Sequence, residues 1–132
     1  MPEPFNKHVV HLTPDDFDEI KSWELGKNAK SGCTFVMFHV DWCGHCQRTK
    51  PVWNQLAEMA TFFQVSEFNC EKYPAHYQKI LADVPDMIQG FPTLVVYSHG
   101  KPVHIYDKER DLNLLFKTCM DACSKAKKGT KK

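Results

Sequence analysis

The sequence predicts an α/β fold: a central mixed β-sheet flanked by helices on both faces, in three layers. Three observations predict it. A continuous β-branched and aromatic run at 34–40 reads as a central strand covered on both sides. Segments with an apolar period near 3.6 alternate with short strand-like segments along the chain. Late in the chain, two strand-like runs flank Ser98-His99-Gly100-Lys101-Pro102, the pattern of a hairpin, before a last helical stripe. The order β-α-β-α-β-α-β-β-α follows, and with it a mixed sheet carrying helices on both faces.

Each element has its own signal. Val9-Val10-His11-Leu12 is a short strand. Thr13-Pro14-Asp15-Asp16 reads as a helix start, with Thr13 as N-cap, Pro14 at the first position and Asp16 closing a capping box. That helix should turn Phe17 and Ile20 inward and end near Gly26, with a polar loop over 27–32. After the 34–40 strand, a helix from Cys46 repeats Val52, Leu56, Met59 and Phe63, and Pro51 should kink it. Alternation over 64–69 predicts the next strand, and Tyr77, Ile80, Leu81 and Val84 mark a helix starting near Pro74. Strands at 93–97 and 103–106 form the hairpin. Leu112, Leu115, Phe116, Cys119 and Cys123 share one stripe of the closing helix. The domain is expected over 1–124, with a lysine-rich, disordered and solubilising tail at 125–132.

Composition narrows the function classes. The chain has 132 residues, 42% of them hydrophobic, enough for one domain with a real core. A formal charge of +1 gives no reason to expect a nucleic-acid partner. No apolar stretch reaches the ~18 residues of a membrane span. The first residues lack the apolar core of a secretory signal, and Lys-Gly-Thr-Lys-Lys at the end is not a retrieval signal of the KDEL type.

The chemistry concentrates at Trp42-Cys43-Gly44-His45-Cys46, directly after the 34–40 run. Two thiols with two residues between them can close a small disulfide ring when the first sits at a helix N-terminus. There, unpaired backbone N–H groups and the helix dipole stabilise the attacking thiolate. A zinc site would need two more ligands at tight spacing, and no second Cys/His pair supplies them. The strand-motif-helix context therefore reads as redox, with no metal and no organic cofactor.

Trp-Cys-Gly-His-Cys, Pro51 five residues after the second cysteine, and Gly90-Phe91-Pro92-Thr93 together resemble the thioredoxin superfamily. Gly44-His45 between the cysteines is similar to the protein disulfide isomerase version. The likeness runs from about residue 9 to 116. It implies a thioredoxin fold and a thiol-disulfide oxidoreductase or isomerase that forms, reduces or rearranges disulfides in client proteins. Cys43 would be the nucleophile and the more exposed sulfur, and Cys46 the resolving thiol. His45 would tune the couple by charge or a hydrogen bond near the Cys43 sulfur. The resemblance also implies a cis Phe91–Pro92 bond facing Cys43, with Trp42, Phe91, Pro92 and Thr93 forming the substrate surface. Arg110 sits where isomerase domains carry an arginine that lowers the pKa of the inner thiol.

One departure concerns the family's buried acid, whose position is Met37, while the place of its basic partner is taken by Glu67. Glu67 is therefore expected beneath the thiols with a raised pKa, as proton acceptor for Cys46; its alternative is a strand-edge carboxylate reaching solvent. Cys33, Cys70, Cys119 and Cys123 read as structural, and a Cys119–Cys123 bridge fits helix geometry poorly. Relatives of this kind imply the endoplasmic reticulum or another secretory compartment, and the cytoplasm is the second choice. Expected partners are client proteins, glutathione or an upstream oxidase, met by a monomeric domain. The rival readings are a cytosolic general disulfide reductase and a client-trapping domain of a larger redox chaperone.

Overall fold

The computed structural model describes residues 4–26 and 32–130, the side chains of 124–130 excepted. Its elements are β1 (Val10–His11), a 3-10 turn (Pro14–Asp16), β2 (Cys33–His39), α1 (Gly44–Met59), β3 (Gln64–Asn69), α2 (Pro74–Asp83), β4 (Thr93–Ser98), β5 (Lys101–Tyr106) and α3 (Leu112–Thr130). The five strands make one sheet in the order β1-β3-β2-β4-β5. Strand β3 runs parallel to β1 and β2, whereas β4 is antiparallel to β2 and β5 to β4.

Seven consecutive residues of β2 are buried, as a strand covered on both faces must be. Alternate side chains divide the core. Phe35 and Met37 join Val65, Leu94 and Val96 against Trp53 and Leu56 of α1 and Leu115 of α3. Val36 and Phe38 join Phe68, Val95 and Tyr97 against Ile80 of α2 and against Phe17 and Leu25. The sheet is thus a middle layer, with α1 and α3 on one side and α2 on the other. Tyr97, fully buried, donates its hydroxyl to the carbonyl of Trp23 at 2.8 Å, which ties the N-terminal segment to the sheet.

The first expected helix does not form. The capping box is present: Asp16 accepts the N–H of Thr13 at 2.8 Å, and Thr13 accepts that of Asp15 at 3.2 Å. Propagation then stops, because the Asp18 carboxylate takes the N–H groups of Ile20 and Lys21 at 3.0 and 2.8 Å. Such side-chain bonds offer the backbone an alternative to the helix. Phe17 turns extended, bridges Leu25 and packs its ring on Phe68 at 5.0 Å. Ile20, expected inside, is 87% exposed. Gly26 ends the segment where a Cβ would meet the Phe17 carbonyl oxygen at 3.2 Å.

Helix α1 runs through Pro51, and its buried face differs from the expected stripe. Cys46, Thr49, Lys50, Trp53, Asn54, Leu56 and Ala57 turn inward. Met59 is 41% exposed, and Phe63 is buried only after the helix has ended. Of the expected stripe only Leu56 lies on the buried face of the helix, which centres on Trp53 instead. Trp53 anchors it, with its indole N–H donated to the Ser66 carbonyl at 2.9 Å. Helix α3 runs over Leu112–Thr130; 131–132 and the expected loop positions 27–31 lie outside the described residues. Cys33 at the start of β2 and Cys123 of α3, read from sequence as separate structural thiols, form a disulfide with Cα atoms 5.9 Å apart.

Candidate active site

Helix α1 begins where the apolar strand ends. Val40 closes β2's run into the core, Asp41 and Trp42 are exposed, and Cys43 takes extended geometry as the N-cap. Its sulfur does the work usually done by a serine or aspartate oxygen: it accepts the N–H of Cys46 at 3.1 Å. The thiol of Cys43 donates to the Phe91 carbonyl at 3.4 Å. Both cysteines of the pair are unbridged, with Cys43 5% and Cys46 0% exposed. Burial foremost, then the hydrogen bond to Cys43, pushes the Cys46 thiol up to about 12, against a lowering by the Val40 backbone and Arg110. An outer sulfur at the helix N-terminus and an inner thiol kept protonated is the division of labour that sequential thiol exchange requires.

Opposite the sulfurs lies the loop of Gly90-Phe91-Pro92-Thr93, in which the Phe91–Pro92 bond is cis. Thr93 opens β4 and donates its hydroxyl to the Gly90 carbonyl at 2.5 Å, which closes the loop on itself. Pro92 is buried. Trp42, 73% exposed, stands edge-on to Phe91 with ring centroids 6.1 Å apart, and Tyr77 flanks Phe91 at 5.7 Å. The loop borders a groove of about 430 Å³ that also includes Met87, Ile105, Tyr106 and Arg110. Tyr106 donates its hydroxyl to the Glu109 carbonyl and so holds the turn that carries Arg110.

His45 is the second residue of α1. It is exposed, and its Nδ1 accepts a hydrogen bond from the Arg48 guanidinium at 2.6 Å. The fixed positive charge next to the helix start therefore belongs to Arg48, one turn along, a residue that the motif did not point to.

Glu67 pairs with Met37 across the sheet, on the face covered by α1, and is buried. Its carboxylate accepts from His39 Nε2 at 2.5 Å and from His11 Nδ1 at 2.6 Å. The expectation of a raised pKa fails. Burial pushes the carboxyl up, but the hydrogen bonds from His39 and His11 and their charge outweigh it and hold it below the usual glutamate range. The solvent-reaching alternative fails as well. His39 Nδ1 is itself buried without a partner among the described residues. The group lines a cavity of about 410 Å³ together with Phe5, Lys50 and Lys72. Lys50 is one helical turn from Cys46 and also inward, so the cavity lies along the side of α1 that carries the inner thiol. Cys70 has a thiol raised to about 12 by burial first and then by the charges of Cys46 and Glu67. Sequence reading singled out His39 among the histidines as near enough in the chain to influence the site, but missed His11, because strand partners far apart along the chain leave no spacing signal.

The chain is similar to known proteins over most of its length. The profile of the Thioredoxin family matches residues 8–121. A "Protein disulfide isomerase-like 5-3" from Oryza sativa subsp. japonica is 36% identical over 116 residues, which is 85% of this chain and 24% of the relative. A "Thioredoxin domain-containing protein 5 homolog" from Drosophila melanogaster is 33% identical over 110 residues, 81% of this chain and 23% of the relative. The chain thus spans about a quarter of either relative. Among solved structures, the Trx4 domain of ERdj5 superposes with a TM-score of 0.63 at 23% identity, covering 86% of this chain and 93% of that one. No helix among the described residues is long and apolar enough to cross a membrane.

Proposed function

This chain belongs to the thioredoxin family and is similar to its protein disulfide isomerase-like members, and from that premise we propose that it is a thiol-disulfide oxidoreductase and isomerase acting on client proteins. The observation that carries the reading is Cys43 at the N-cap of α1, its sulfur held by the Cys46 N–H, with Cys46 buried behind it.

In the dithiol form, the Cys43 thiolate attacks one sulfur of a client disulfide. A Cys43–client bond forms, the client S–S bond breaks, and the other client sulfur leaves as thiolate. Cys46, deprotonated, then attacks Cys43; the client is released reduced and Cys43–Cys46 is left as the disulfide. Run backwards, the same steps oxidise a client. If a second client thiol attacks first, the disulfide has moved and the enzyme is unchanged. Cys43 sits at the N-terminus of α1, where its sulfur accepts the Cys46 N–H. The Arg110 charge favours the Cys46 thiolate at the moment of escape. The Glu67 charge opposes ionisation of the buried Cys70 thiol, and its carboxylate can take a proton only after its histidine bonds loosen. Trp42, Phe91, Pro92 and Thr93 supply an apolar shelf and backbone against which an extended client segment lies. Glutathione or an oxidase in a secretory compartment would recharge the couple, and the Cys33–Cys123 disulfide agrees with such a compartment.

The test is twofold. The wild-type chain should restore activity to scrambled ribonuclease, while Cys43→Ser should not and Cys46→Ala should accumulate long-lived mixed disulfides. Equilibration with glutathione should place Cys43–Cys46 near the isomerase value of about −180 mV rather than the reductase value of about −270 mV. A couple at the reducing end, with no reactivation, overturns the isomerase reading.

A further inference from the structure

A disulfide needs two sulfurs, and α3 brings a third. Cys33, Cys119 and Cys123 have sulfur atoms that all lie within 4.8 Å of one another. Cys33 and Cys123 are bridged, while Cys119, fully buried and unbridged, points its sulfur at Cys123 from 3.7 Å. Core burial accounts for the place of Cys119, and its i,i+4 position on α3 sets its sulfur beside Cys123, within reach of Cys33 as well. It serves poorly as an exchange partner for the bridge. Burial pushes its thiol up to about 12, and a bridge between positions i and i+4 of a helix needs a closer approach than the helix gives. A metal fits better. Zn–S bonds of about 2.3 Å in a tetrahedron set sulfurs about 3.8 Å apart, the spacing that Cys119 and Cys123 already have.

We infer that Cys33, Cys119 and Cys123 form a redox-gated binding site for a thiophilic d10 cation, Zn²⁺ or Cu⁺, open when the Cys33–Cys123 disulfide is reduced and closed when it is present. The gate is opened by a thiol reductant of the glutathione class: two RSH become RSSR, and the bridge becomes two thiols. The cation then displaces three protons and bonds three thiolates. With Zn²⁺ the site carries one net negative charge and keeps its fourth position for water on the side of Cys123, the only one of the three that is half-buried. No other histidine, cysteine or carboxylate among the described residues joins the group. Either state ties the start of β2 to α3, by a covalent bond or by a metal. The site shares no residue with the Cys43–Cys46 pair, so its failure would leave the proposed oxidoreductase function standing.

The experiment uses the full chain as Cys43→Ser/Cys46→Ser, which removes the active-site thiol pair. Co²⁺ serves as the probe after anaerobic reduction by a phosphine. One Co²⁺ per reduced chain should give thiolate-to-metal charge-transfer bands, bleached by one equivalent of Zn²⁺, and a parallel titration against a Cu⁺ chelator reads the monovalent ion. The oxidised chain should bind neither. Cys119→Ala should weaken binding by at least about tenfold, and Cys123→Ala, at the half-buried edge, should do the same if the first variant does not fold. Absence of binding by the reduced chain, equal binding by the oxidised chain, or unchanged affinity in the folded cysteine variant overturns the inference.

Discussion

Removing the Cys33–Cys123 bridge should cost this domain a large part of its stability. The bridge closes a loop with a sequence separation of 90, nearly the whole sheet. In the chain-entropy account a loop of that size restricts the unfolded ensemble by 2.1 + 1.5R ln n cal/mol/K, about 4.6 kcal/mol at 25 °C. Domains commonly have ~5–15 kcal/mol in total, so the loss is a third or more of the reserve. The perturbation is Cys33→Ala/Cys123→Ala, compared with Cys119→Ala, which empties the same neighbourhood without touching the bridge. With a urea slope of about 2 kcal/mol per M, the double variant should lower the unfolding midpoint by about 2 M. Exchange kinetics at Cys43 should hardly change, because Cys33 starts β2 and the active-site pair follows its other end. A midpoint shift under about 0.5 M at unchanged slope would refute the reasoning, since it would mean that the bridge constrains nothing the unfolded chain explores.

Three further outcomes follow from named contacts. Glu67 has its pKa depressed in the folded state, so its contribution is present above the unfolded value near ~4.3 and is lost as pH falls through the lower folded value. Urea midpoints of wild type and Glu67→Gln should therefore differ most near neutral pH and converge in acid; a gap constant from pH 7 to 3 contradicts this. Phe17→Ala, at a 4% exposed ring packed on Phe38, Phe68 and His76, should cost ~3–5 kcal/mol, whereas Ile20→Ala should stay within about 0.5 kcal/mol. Arg110→Ala should slow release of a trapped client by Cys46 near neutral pH without slowing the first attack by Cys43, as stopped-flow with a fluorogenic disulfide would separate.

The sheet and the last two helices were legible because their signals are local. A strand buried on both faces must be apolar throughout, and β2 is; Pro74 starts α2 and the Ser98–Pro102 segment turns the hairpin as read. The segment after Thr13 was misread for a reason equally local but of opposite sign. One aspartate at position 18 ends what the capping box begins, and long-range bonds, such as the Leu25 N–H to the Gly100 carbonyl at 2.8 Å, then compensate the backbone. Helix propensity had no means of weighing those partners. On α1 the buried face includes polar Lys50, Thr49 and Asn54 beside Trp53, and a stripe read from Val52, Leu56, Met59 and Phe63 cannot include them.

At the site, pattern and resemblance pointed to the cysteine pair, Pro92 and Arg110, whereas Arg48, one turn into α1, was not singled out. Nor were the surroundings of Glu67 legible, because His11 and His39 meet it only once β1, β3 and β2 lie side by side. That meeting changes the chemistry as well as the geometry. A carboxyl alone beneath the thiols would be neutral and ready to donate; one held by two imidazole N–H groups is ionised and already saturated.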